Sequence, residues 1–184
     1  MWYAIETGSG REEYVRRQIS QAMRDQSYDA CRVLYSAQKK RYQGQWHDKK
    51  ERFLPGYLFW VTKDEEVWNA DFRMIRIDDI LKIFGGYHCR EGNLQDILER
   101  ECTICPVKRE EEEVLVRLTR GKSEIGMSYG VIRNGELQIC DGVLMGLESR
   151  VRKIDRHKRK GFITISLHGR ETMADIGLEI TEKT

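Results

Sequence analysis

The sequence predicts an α+β chain in two parts: a mixed amino-terminal part, then a smaller all-β module. Three stretches carry that prediction. Residues 2–23 read as strand, turn and amphipathic helix, residues 53–61 as a turn and a buried strand, and residues 141–170 as two strands joined by a basic loop. The divisions that follow are a first domain over 1–120, a linker over 121–130 and the module over 131–184.

Residues 2–7 are rich in bulky side chains and read as the first strand. Ser9-Gly10-Arg11-Glu12 has capping-box spacing, with Ser9 as N-cap and Glu12 reaching back. Val15, Ile19, Ala22 and Met23 then recur at helical spacing, with Arg11, Arg16, Arg17 and Arg24 mostly elsewhere around the helix. Residues 31–35 are a second strand candidate. The polar stretch 36–52 holds six Lys/Arg against two acids and reads as a long, exposed, positive hairpin or loop. Pro55-Gly56 marks a turn, and the continuous apolar run after it a central, buried strand.

A helix is predicted over 65–75, a strand over 80–84 stopped by Gly85-Gly86, and a short helix after Asn93. Pro106 suits a helix start, and Glu110, Glu111, Glu112 and Glu113 in the first turns suit its dipole. Val114, Leu115 and Leu118 supply an apolar face. Gly121 can take a left-handed cap, with Arg117, Arg120 and Lys122 near the last carbonyls. Residues 122–130 are polar and weakly periodic, as a linker would be.

The module opens on Gly142 and Gly146. Arg150, Arg152 and Lys153 surround Val151 and Ile154, and the loop 155–161 is bounded by Asp155 and Gly161. After it, Ile163, Ile165 and Leu167 alternate with Thr164 and Ser166. Residues 141–170 carry eight Lys/Arg against three acids, a local charge of +5, whereas the whole chain is only +2 and the remainder therefore −3. Such an asymmetry points to nucleic acid. Residues 156–160 hold four cations and His157, more than solubility requires. Lys153, Arg156, His157, Lys158 and Arg159 are the candidate RNA contacts. Arg forks across phosphates or stacks on unpaired bases, and a rim of this shape suits an RNA loop better than a duplex groove.

Other chemistries are poorly supported. No apolar run approaches the ~18 residues of a membrane span. The amino terminus lacks a charged region followed by an apolar core, so the expectation is a cytoplasmic chain without a signal peptide or membrane partner. Five Cys suggest reduced thiols. Cys102-Thr103-Ile104-Cys105 has zinc-knuckle spacing, but a structural site needs four ligands; His88 and Cys89 lie upstream with no second paired motif, so no metal and no cofactor are assigned. There is no nucleophile elbow, phosphate loop or HExxH, and the four His are scattered, which argues against an enzyme.

Two sets of residues also carry a family resemblance. Gly142-Val143-Leu144-Met145-Gly146-Leu147-Glu148 followed by Val151-Arg152-Lys153-Ile154-Asp155 resembles a KOW motif, with Ser149 where a third glycine is usual. Trp2-Tyr3-Ala4-Ile5-Glu6-Thr7-Gly8-Ser9-Gly10 with its helix, and Phe53-Leu54-Pro55-Gly56-Tyr57-Leu58-Phe59, resemble the amino-terminal (NGN) domain of the NusG family of transcription elongation factors. Residues 87–105 form a longer segment than the family pattern. The loop 153–159 looks most like the LoaP subgroup of bacterial antiterminators.

The resemblance implies an antiparallel sheet flanked by helices, followed by an SH3-like β-barrel. It also implies a monomeric elongation and processive antitermination factor, binding the RNA polymerase clamp helices through the first domain and an RNA hairpin through the module. Trp2, Leu54 and Tyr57 are then the polymerase-binding candidates. Together with Phe53 and Phe59 they cannot all point inward, because successive strand side chains alternate faces, unless a helix covers that side. Lys39, Lys40, Arg41, Lys49 and Lys50 would lie near upstream DNA and touch its phosphates. The alternative is a general or ribosome-associated KOW-type RNA-binding protein, whose first domain is only a scaffold.

Overall fold

The computed structural model describes residues 1–22, 31–61 and 102–183. The helices expected over 65–75 and after Asn93, the strand over 80–84, and Met23, Arg24, His88 and Cys89 lie outside these residues. In chain order the first elements are β1 (Trp2–Glu6), α1 (Glu12–Ala22), β2 (Cys31–Arg32), β3 (Tyr35–Tyr42), β4 (Gln45–Arg52), β5 (Tyr57–Val61) and β6 (Thr103–Pro106). There follow α2 (Arg109–Thr119), β7 (Glu124–Ile125), β8 (Ser128–Arg133), β9 (Glu136–Asp141), a 3-10 turn (Glu148–Arg150), β10 (Val151–Asp155), β11 (Lys160–Leu167) and β12 (Arg170–Lys183). The chain forms two compact units, Met1–Val33 with Pro55–Lys108, and Leu34–Leu54 with Arg109–Thr184.

The first unit is built on an antiparallel sheet of order β2-β5-β1-β6. Its two inner strands, β1 and β5, are buried over four consecutive residues each, so both of their faces are covered. That is the burial a continuous apolar run such as Tyr57-Leu58-Phe59-Trp60 demands. Helix α1 lies on β2 and β5 and buries Val15 and Ile19. Glu12 departs from the capping-box expectation. The helix starts at Glu12, and its fully buried carboxylate accepts the Gly10 N–H through Oε2 at 3.0 Å and the Gly56 N–H through Oε1 at 2.6 Å. Gly56 is held on its other side as well, its carbonyl accepting the Thr7 N–H at 2.8 Å. With φ +91° and an added Cβ only 3.4 Å from the Ser9 nitrogen, position 56 favours glycine strongly. The two stretches resembling the NGN domain are thus locked together.

Pro106 does not start a helix. It ends β6, which pairs with β1, and α2 begins three residues later. A φ near −65° suits a strand end as well as a first helical turn, and the pairing decides between them. The acidic first turn of α2 and the buried Val114, Leu115 and Leu118 are as the sequence predicts, and Gly121 takes a left-handed conformation after the helix.

The second unit contains a five-stranded sheet of order β10-β11-β12-β8-β9 and a three-stranded sheet of order β4-β3-β7. The β12–β8 and β3–β7 pairs are parallel, the others antiparallel. Among the described residues no pairing joins the outer strands β10 and β9. β11 alternates as predicted, burying Ile163, Ile165 and Leu167. Strand β3 crosses β12 closely: Gly177 donates its N–H to Ser36 Oγ at 3.3 Å, and a Cβ there would overlap the Ala37 carbonyl. Helix α2 is tied to the glycine turn ahead of β10. Arg117 and Arg120 donate to the carbonyls of Met145 (3.2 Å) and Gly142 (3.0 Å), and Glu111 pairs with Arg150 at 3.0 Å. Residues 121–130 contribute β7 and the start of β8 to these sheets.

Candidate nucleic-acid interface

The β10–β11 connection is a tight turn rather than a slack loop. Asp155 Oδ1 accepts the Lys158 N–H at 3.0 Å, an Asx-type closure, and the Arg156 carbonyl accepts the Arg159 N–H at 3.3 Å. Arg159 takes a left-handed φ of +52° to rejoin β11, and its carbonyl accepts the Leu178 N–H at 3.0 Å. This backbone leaves Arg156, His157 and Lys158 exposed. The side chains of Arg156 and His157 make no hydrogen bond or ion pair among the described residues, and the Lys158 ammonium has only a 3.8 Å pair with Asp155. Lys153 is exposed on β10, its ammonium 5.7 Å from the centroid of Phe162.

Arg159 is used differently. Its guanidinium pairs with Glu179 at 3.0 Å and lies over the Trp46 ring, 3.9 Å from the centroid. Lys160 pairs with Asp175 at 3.0 Å. Of the five predicted RNA contacts, four project outward and Arg159 anchors the turn.

Trp46 belongs to the positive stretch 36–52, which is a hairpin. Strands β3 and β4 pair from Tyr35↔Arg52 to Tyr42↔Gln45 around Gln43 and Gly44. Both turn residues have positive φ, +50° and +81°, the signature of a type I′ turn whose twist matches the strands. Lys39, Lys40 and Arg41 approach the tip without an ion-pair partner among the described residues, whereas Lys49 pairs with Glu51 and Lys50 with Glu124. The Glu51 carboxyl is held below its ordinary range. The Lys49 hydrogen bond is the main cause, partial desolvation opposes it, and the charges of Lys49, Lys160 and Lys40 reinforce it. Near the tip, Tyr42 is 63% exposed and meets His47 edge-on at 6.4 Å.

The structure therefore brings the hairpin cations and the module's basic turn into one unit, although more than 100 residues separate them in the chain. Trp46 and Tyr42 are the residues that reading the sequence missed. Their signal was present: a Gln-Gly pair flanked by Tyr42 and Trp46 is a hairpin pattern with aromatic partners.

The five large apolar residues expected to be partly exposed are all buried. Trp2 is 4% exposed, Leu54 2% and Tyr57 8%, while Phe53 and Phe59 are fully enclosed. For Trp2, Tyr57 and Phe59 the face-alternation argument fails because both faces of β1 and β5 are covered, and Phe53 and Leu54 lie outside those strands; Trp2 packs on Phe59 with ring centroids 5.8 Å apart. Cys102 precedes β6, Cys105 lies within it, and neither is in a disulfide. Among the described residues no cluster of three His, Cys, Asp or Glu could hold a metal, and no helix is long and apolar enough to cross a membrane.

Residues 1–105 match the family described as "Transcription termination factor nusG". The transcription termination/antitermination protein NusG of Streptococcus pyogenes, in serotypes M1, M3 and M18, is 27% identical over 184 residues, spanning 96% of this chain and 92% of the relative.

Proposed function

Because this chain belongs to the NusG family of transcription factors, we propose that it is a LoaP-like elongation and processive antitermination factor, a cytoplasmic monomer that binds RNA polymerase through its NGN domain and an RNA hairpin through its KOW module. The β10–β11 turn is the observation that carries the RNA reading. Its backbone is closed by Asp155, its base is anchored by Arg159, and Arg156, His157 and Lys158 project into solvent. A preorganised rim of two cations and an imidazole can neutralise phosphates and stack on bases splayed from a hairpin loop. A KOW module of this kind is an SH3-like barrel, and the strands β8–β12 are the material for one.

Polymerase is the partner that the NGN resemblance implies. Trp2, Leu54 and Tyr57 then act by fixing the surface that meets the clamp helices, since their side chains are buried. Truncating Tyr57 should lower both thermal stability and polymerase retention.

The test is a titration of the full chain with hairpin and duplex RNA. Arg156→Ala and His157→Ala should relax hairpin preference, while Lys158→Ala should weaken all RNAs alike and reduce the salt slope by about one. Wild-type protein without hairpin preference at physiological salt would rule out specific recognition by the turn and favour a protein as the module's partner. Retention on core RNA polymerase separates this role from a general or ribosome-associated one: a chain that binds RNA or ribosomes but not polymerase belongs to the latter.

A further inference from the structure

Resting on that reading, we infer that the β3–β4 hairpin and the β10–β11 turn form one RNA-binding surface, with cations on both halves and Tyr42 supplying a face on which an unpaired base stacks. The hairpin is thereby assigned to the same RNA as the turn, and not to a separate duplex.

Three observations support a single surface. Arg159 belongs to the turn, yet its guanidinium covers Trp46 of β4 at 3.9 Å and is held there by Glu179 at 3.0 Å. The two basic elements are therefore fixed to each other by a contact that uses one cation of the turn. Second, Glu51 on β4 feels both Lys40 of the hairpin and Lys160 at the base of the turn. Third, Lys39, Lys40 and Arg41 on β3 and Arg156 on the turn have no ion pair among the described residues, Lys158 is only loosely paired, and Lys39 and Arg41 share the hairpin face of Trp46, the partner of Arg41 in the β3–β4 register.

Tyr42 identifies the ligand. It lies two residues beyond Lys40, on the same face of β3 by strand alternation. It is 63% exposed although a tyrosine ring is largely apolar, and the Gln43–Gly44 turn places it near the tip. An exposed aromatic ring among unpaired cations fits unstacked bases next to phosphates, which an RNA hairpin loop offers and an intact duplex does not.

The test uses the full chain and an RNA hairpin at several salt concentrations, with duplex DNA as comparison. The Lys39→Ala/Lys40→Ala/Arg41→Ala variant should bind the RNA hairpin more weakly, with a salt slope reduced by about two to three. Tyr42→Ala should weaken hairpin binding about tenfold at unchanged slope, and Tyr42→Phe should restore it. Saturating RNA hairpin should also displace duplex DNA. The inference is overturned if the triple variant keeps full RNA affinity and slope while losing duplex DNA, or if RNA and DNA bind together. Tyr42→Ala binding like wild type would remove the stacking face. Loss of effect in the Arg156 and His157 variants alone would overturn the proposed function and leave the hairpin result standing, so the two failures are distinguishable.

Discussion

Arg156 and Arg159 stand three residues apart in one basic run and have opposite fates. Arg156 projects into solvent, whereas Arg159 is held by Trp46 and Glu179. Nothing local distinguishes them, because the deciding partners lie on β4 and β12. Arg159→Ala should destabilise the protein by about 1–2 kcal/mol, from a lost ion pair and a lost cation–π contact, lowering Tm by a few degrees. Arg156→Ala should leave Tm unchanged. Thermal unfolding of both variants checks this, and equal Tm values would mean that Arg159 is as free as its neighbour. Cys31 offers a second residue-scale prediction. Burial pushes its thiol from an ordinary 9.0 up to about 12, with Arg16 opposing and Glu13 assisting. Because the folded pKa is raised, the stabilisation is complete below the ordinary value and is lost as pH climbs from 9 towards 12. At pH 8, iodoacetamide should modify the exposed Cys140 while Cys31 stays protected until the chain unfolds, as peptide mass spectrometry would show. Modification of both at one rate would contradict a buried β2.

At the scale of elements, what was legible in the sequence is what a local period specifies. β11 announces itself by alternation, α2 by its apolar spacing and acidic first turn, and β5 by a continuous apolar run after Pro55-Gly56. The misread elements depend on pairing with distant strands. The ring of Pro106 fits a helix start, and only the ladder with β1 makes it a strand end. The spacing of Ser9 and Glu12 suggests a capping box, but the helix starts at Glu12 itself, whose carboxylate reaches back to Gly10 and also across to Gly56, 44 residues away. The β3–β12 crossing left no sequence signal beyond a glycine, and Gly177 predicts its own importance. Gly177→Ala should cost about 1–3 kcal/mol, since the added methyl overlaps the Ala37 carbonyl and β3 must shift. Hydrogen exchange should show faster amides in β3 as well as a lower Tm. Unchanged exchange in β3 would place the strain elsewhere and separate the hairpin from β12.

At the scale of the molecule, the chain's division is not a division of its sequence. Reading by composition separates 1–120 from 131–184 with a tether between them, and a polar, glycine-containing stretch is ordinarily such a tether. Packing groups the residues otherwise. Leu34–Leu54 and Arg109–Thr184 form one unit, so the hairpin leaves its sequence neighbours and joins strands from the far end. Hydrogen bonds also join residues 123–128 to other strands of that unit. Ser123 accepts the Tyr35 N–H at 2.9 Å, Glu124 and Ile125 pair with Tyr35 and Ser36, and Ser128 begins β8 with its hydroxyl accepting the Leu144 N–H at 3.0 Å. Backbone held in two ladders resists a protease, because cleavage requires an extended, released segment. Limited trypsin digestion should therefore spare Lys122, inside this stretch, although it lies among polar residues. Perturbing the crossing with Gly177→Ala should speed cleavage at Lys122 and release Arg133 more slowly, since Arg133 sits further along the β8–β9 ladder. Immediate cleavage at Lys122 in the wild-type chain would show that residues 121–130 behave as a tether in solution. The hairpin and the basic turn would then meet only part of the time, and the joint RNA surface would fail with them.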